Sequence, residues 1–128
     1  MPKPPRWHPP VAITRSRLLR DELRLCEQHA GTEFAYPTTI PQARREARYA
    51  PMLVIGVDQA GLIRMPIRCR TGLVFIATIE PDDRRAAELI ERIGARCVII
   101  LPTAREFVVD KLLHPTRDRE DVAGATNQ

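Results

Sequence analysis

Hydrophobic positions along this chain fall into two kinds of run. Some are short and continuously apolar, and others recur every three or four residues between charges. VAIT, from Val11, is the first continuous run and reads as a short strand. Ser16 is then placed to cap a helix with Leu19, Leu23 and Cys26 on one face, and Gly31 ends it. TEFAYPT is a weak strand that Pro37 confines to a sheet edge, and QARREARYA is a short helix before Pro51. MLVIGVD is strongly strand-like. QAGLIRMPIRCRT, from Gln59 to Thr71, has no clean period and contains Pro66, which excludes a full-length helix. GLVFIATI is the continuous β-branched run expected of a central strand covered on both faces. After Pro81 comes a helix with Ala86, Leu89, Ile90 and Ile93 as its stripe, Asp82 and Asp83 at its positive end, and Gly94 closing it. CVIILP is a fifth strand. Thr103 and Glu106 form a T-x-x-E capping box for a last helix bearing Phe107, Val108, Leu112 and Leu113, which Pro115 stops. Five strand-helix units in succession predict an α/β protein with a single doubly wound, five-stranded parallel sheet of order 2-1-3-4-5.

The ends of the chain set the domain limits. MPKPPRWHPP is too rich in proline for helix or sheet, so residues 1–10 are expected to be a disordered arm. Residues 11–114 are then the folded domain and 115–128 a polar tail. A length of 128 residues suits one core, and 44% apolar with 28% charged residues is ordinary for a globular protein. The formal net charge of +4 permits weak attraction to nucleic acid or anionic lipid, but basic and acidic residues are interleaved and a solvated surface accounts for most of it. Cys26, Cys69 and Cys97 are widely spaced in apolar settings and imply neither a disulfide framework nor a metal knuckle. No secretory leader follows Lys3 and Arg6, and no apolar run reaches spanning length, so a cytoplasmic protein without membrane insertion is expected.

Ligands of such a sheet bind past the carboxyl ends of its strands. Those ends carry Thr14 and Arg15, then Asp58, then Thr78 and Glu80, and finally Leu101. There is no G-x-G-x-x-G after the first strand and no G-x-x-x-x-G-K-[ST] anywhere, so neither dinucleotide nor P-loop triphosphate chemistry is encoded. His8, His29 and His114 are scattered, which argues against a catalytic triad or zinc site. No cofactor is expected.

The segment VFIATIEPDDRRAAELIERIGARCVIILPTAREFVVDKL resembles the second half of a response-regulator receiver domain, which shares the flavodoxin-like 2-1-3-4-5 order. In receivers an Asp ending the third strand accepts a phosphoryl group. Two acidic residues after the first strand hold magnesium, and a Thr or Ser on the fourth strand and a Lys before the Pro of the fifth respond. Carried over, Asp58 is the nearest acceptor and Thr78 the switch residue, but the acidic pair is Thr14 and Arg15 and the lysine is Leu101. Magnesium needs anionic oxygen ligands, and a lone Asp58 beside Arg15 supplies too few. The resemblance therefore implies a non-enzymatic pseudo-receiver, with the Arg15 guanidinium approaching Asp58 where a metal would sit.

Together, ARREARYAPMLVIGVD, GLVFIATIEPDD and IGARCVIILPTAREFVVDKL resemble the N-terminal domain of actinobacterial septum site-determining proteins, relatives of the CpaE-like ATPases, in which a degenerate receiver precedes a ParA/MinD-type ATPase. That resemblance implies a regulatory module working with such an ATPase, either in trans or as an excised part of the same protein, or self-associating, in division or in pilus or secretion assembly. Receivers signal through their fourth helix, fifth strand and fifth helix, a face expected here to expose Arg84, Arg85, Glu88, Arg92, Arg105 and Lys111. Two alternatives remain open. One is a true phospho-receiver using Asp58. The other is a nucleic-acid module using Arg64, Arg68 and Arg70 or Arg44, Arg45 and Arg48, against which stand a single nearby aromatic, Tyr49, and the lack of a helix-turn-helix pattern.

Overall fold

The computed structural model describes residues 8–81 and 84–115. The arm up to Trp7, Asp82 and Asp83 at the head of the fourth helix, and the tail from Thr116 lie outside the described residues. Four apolar runs form β1 (Val11–Ile13), β2 (Leu53–Gly56), β3 (Val74–Thr78) and β4 (Cys97–Ile100), all parallel in the order β1-β2-β3-β4. The predicted third, fourth and fifth strands are thus β2, β3 and β4.

The predicted second strand does not form. TEFAYPT meets the sheet at one residue, Ala35, which bridges Val11 on the free side of β1. Ala12 N–H donates to the Ala35 carbonyl at 2.9 Å and Ala35 N–H to the Pro10 carbonyl at 2.8 Å. Two residues later Pro37 has no N–H to donate, and it is buried, so the ladder stops. The sheet has four strands and not the five expected.

Five helices join them. α1 (Arg17–Ala30) is capped by Ser16, whose hydroxyl accepts from Leu19 N–H, and ends at Gly31 with φ 69°. α2 (Ile40–Ala47) is capped in the same way by Thr39, and α3 (Val57–Ala60) is one turn long. α4 (Arg84–Ile93) buries Ala86, Leu89 and Ile93, as its stripe predicts, and Gly94 at φ 82° ends it. The connection to the bridge at Ala35 runs outward from β1 while every later crossover runs the other way. Right-handed crossovers then place α1 on one face of the sheet and α2, α3 and α4 on the opposite one. α5 (Arg105–Leu113) returns to pack on α1.

α5 corrects two expectations. Its N-cap is Ala104, without a side-chain bond, so the box of Thr103 and Glu106 lies out of register with the helix. Its buried residues are Val108 and Lys111, whereas Phe107 and Leu113 are 38% and 49% exposed. Phe107 stands edge-on to Phe75, 5.4 Å between centroids, at the margin of the core.

Cys26 is fully buried on α1, and burial pushes its thiol up to about 11 from an ordinary 9.0. The folded protein therefore holds this proton to higher pH than the unfolded chain does. The stability that this confers is complete below pH 9 and declines as pH rises to about 11. Chemical denaturation between these limits should show a falling midpoint that Cys26→Ala flattens, and native Cys26 should resist alkylation until the chain unfolds.

Candidate functional site

β1 ends at Ile13, so the chain leaves the sheet at Thr14 and turns into α1 at Ser16. The neighbouring strand ends at Gly56, which stands at the level of Thr14 on one side and opposite Ala77 on the other. Asp58 lies two residues beyond, in α3, and not at the strand terminus where the receiver pattern puts an acceptor. It folds back towards β1. The Thr14 hydroxyl donates to Asp58 Oδ1 at 2.7 Å and accepts from Ser16 N–H at 3.0 Å. Arg15 N–H donates to Asp58 Oδ2 at 2.7 Å, and Gln59 Nε2 to the same oxygen at 3.2 Å. Arg20 Nη2 completes the turn with a 3.4 Å bond to the Thr14 carbonyl.

The expected pairing of Arg15 with Asp58 is thus made by the wrong atom. The main-chain N–H reaches the carboxylate, and the Arg15 side chain is exposed. A main-chain donor is already in place when the loop forms, whereas a long guanidinium stem in water must be ordered at an entropic cost.

Gly56 escaped the reading of the sequence. A Cβ there would run into Asp58 Oδ1 and would lie 2.6 Å from Thr14 Oγ1 and 2.7 Å from Thr14 Cβ. The Asp58 carboxylate occupies the space that a side chain at the strand end would need. The signal was available: a glycine inside a β-branched run marks a close approach.

Thr78 ends β3, buried at 3% exposure, and its hydroxyl accepts from Glu80 N–H at 3.1 Å. Leu101 N–H donates to the Thr78 carbonyl at 2.9 Å, and the Leu101 side chain is fully buried in the core. The position that carries a cation in receivers is here part of the hydrophobic interior, and the peptide to Pro102 is cis.

These groups do not fit magnesium. A hard dication takes several anionic or carbonyl oxygens, and here the residues after β1 are a threonine and an arginine, while Asp58 is already bonded through both oxygens. No group of three His, Cys, Asp or Glu able to hold a metal occurs among the described residues. Incubation with acetyl phosphate and magnesium should accordingly leave the intact mass unchanged. A stoichiometric phosphoryl adduct absent from Asp58→Asn would contradict that expectation.

The other expected surface divides. Arg84, Arg85, Glu88 and Arg92 are exposed on α4. Arg105 turns to α1 and pairs with Glu22 at 2.7 Å, and Lys111 is 1% exposed, its Nζ 3.8 Å from Asp110 and 5.5 Å from the Phe107 ring centroid. Neither belongs to the α4 surface. One member of the second arginine cluster joins the first: Arg44, Arg45 and Arg48 of α2 line one concavity with Arg68, Pro41 and Pro66, whereas Arg70 lines a separate hollow with Lys111. Arg44 is committed to structure, donating to the Pro66 carbonyl at 2.6 Å and the Met65 carbonyl at 3.2 Å.

No helix among the described residues is long and apolar enough to cross a membrane. No curated protein matches the chain. The family model described as Rv3660c-like, CheY-like N-terminal domain matches residues 12–123, nearly the whole chain. With this match and a parallel four-stranded α/β sheet among the described residues, the chain belongs to the Rv3660c-like family of CheY-like N-terminal domains.

Proposed function

We propose that this domain is a receiver that no longer takes phosphate and acts by protein contact, docking on a ParA/MinD-type ATPase or on a second copy of itself. The observation that carries the reading is the state of Asp58, closed onto Thr14 and the Arg15 amide beside a strand end that has become Gly56. In receivers the switch is the response of a Thr or Ser and a Lys to a phosphoryl group carried by the Asp. With the acidic pair and the lysine replaced, the domain retains the scaffold and its surfaces but not the switch. The sequence resemblance to septum site-determining and CpaE-like proteins supports the ATPase as partner and, on this reading, a role in division or in pilus or secretion assembly.

The docking face is the exposed side of α4. Arg84, Arg85 and Arg92 with Glu88 make a mixed-charge surface, which governs partner choice and encounter rate more than affinity. Charge reversal at Arg84, Arg85 and Arg92 should abolish recovery of the ATPase from native extract at low salt and leave the melting temperature within about 6 °C, since each surface substitution shifts stability by only about 0.5 kcal/mol. Equal recovery by wild type and variant, or recovery of no ATPase, would refute docking on an ATPase through α4, and a monomeric chain at high concentration would refute self-association.

A further inference from the structure

The connection between α3 and β3 is irregular, and it exposes apolar side chains that a loop usually hides. Leu62 is 64% and Met65 67% exposed, on either side of Ile63, which is buried. From Gln59 to Ile79 the chain carries Arg64, Arg68 and Arg70 and no carboxylate. All three arginines are exposed. α2 runs alongside and adds Arg45 and Arg48, also exposed, to the concavity of about 510 Å³ that Arg68 lines.

The loop is held in this shape. Arg44 bonds the Met65 and Pro66 carbonyls, Ile67 N–H donates to the Ile93 carbonyl at 3.0 Å, and Arg70 N–H to the Ala50 carbonyl at 3.1 Å. The nearest carboxylate on α2, Glu46, is half-buried and lines an adjoining hollow with His8, Pro9 and Arg45, so it offsets part of the charge of Arg45 and leaves Arg48, Arg64 and Arg68. Where the loop meets the end of α4, Glu91 and Arg92 are both exposed and add no net charge.

We propose that this face, formed by the 61–70 loop and α2, is a peripheral membrane-binding surface for an anionic bilayer. Leu62 and Met65 enter the boundary between headgroups and acyl chains, and Arg45, Arg48, Arg64 and Arg68 lie among the lipid phosphates. The pairing of protruding apolar side chains with cations of one sign selects this partner. A nucleic acid would use the arginines and leave Leu62 and Met65 in water. Single strands would also need aromatic platforms, and Tyr49, the one aromatic near the patch among the described residues, is stacked on His8 at 5.5 Å. The proposal is independent of the docking role of α4.

Cosedimentation of the 128-residue chain with vesicles tests it. Binding is expected to phosphatidylcholine vesicles containing about one third phosphatidylglycerol, not to phosphatidylcholine alone, and should weaken with salt. Each arginine is expected to contribute about fivefold, so Arg45→Ala, Arg48→Ala and Arg68→Ala together should reduce binding about 100-fold. Leu62→Ser with Met65→Ser should reduce it about tenfold. Arg44 is left intact because it holds the loop, and unchanged thermal melts establish that the variants fold. Failure to bind anionic vesicles at low salt, or equal binding to neutral ones, would overturn the proposal. So would retention of binding by Leu62→Ser with Met65→Ser when duplex DNA displaces the vesicles, which would make the patch a nucleic-acid surface.

Discussion

Replacing Gly56 with alanine is expected to destabilise the domain by about 2–3 kcal/mol, the cost of forcing an extra carbon into a packed interior, and to lower its melting temperature by about 10 °C. Backbone strain has no part in this. Gly56 has φ −62° and ψ 143°, a conformation open to any residue, so the whole effect comes from the collision with Asp58 and Thr14. Because two residues collide, the loss should be coupled. Asp58→Ala in the Gly56→Ala background removes the nearest obstacle but leaves Thr14, so it should recover about 1 kcal/mol relative to the sum of the single changes. Thermal melts of the four proteins provide the test. A Gly56→Ala protein as stable as wild type would mean that Asp58 does not occupy the strand end, and the case against phosphorylation would weaken with it.

Charge reversal at Lys111 should cost about 3–5 kcal/mol, because it puts a buried carboxylate where the packing holds an ammonium and places it beside Asp110. Lys111→Met should lie within about 1 kcal/mol of wild type, since methionine keeps the packed stem and removes the need to bury a charge. Urea denaturation of the two variants distinguishes a core lysine from a surface one: equal stability of Lys111→Glu and wild type would return Lys111 to the surface. The result also bears on docking experiments. Arg105 pairs with Glu22 of α1 and Lys111 is buried, so lost binding after changing either would report the packing of α5 and not the α4 surface.

Much of the site was legible as a set of replacements. Thr14, Arg15 and Leu101 stand at strand ends in the sequence, and strand ends follow from where a β-branched run stops. What those residues do instead was not legible. Thr14 could have faced solvent, and only the parallel register of β1 with β2 brings its hydroxyl within 2.7 Å of a carboxylate 44 residues away. The expected Arg15 guanidinium contact failed for a related reason: a pattern of residue types names side chains, and here the main chain supplies the bond.

Local order came from the sequence alone wherever it depended on neighbours in the chain. Continuous apolar runs became β1 to β4, Ser16 capped α1, Gly31 and Gly94 ended α1 and α4, and the three-and-four spacing of Ala86, Leu89 and Ile93 chose the buried face of α4. These outcomes rest on backbone geometry and periodicity, which act over a few residues. α5 shows where that reach ends. Its apolar residues ring the helix without a clear stripe, so the packing of α1 and β3 decided that Val108 and Lys111 go inside while Leu113 stays out. Tertiary structure alone reduced TEFAYPT to a bridge at Ala35, seated Asp58 in the space above Gly56, and joined the arginines of α2 to Arg68 in one patch. Each of these is a contact between segments far apart in the chain, fixed by the volume and hydrogen-bonding groups that the other elements leave available.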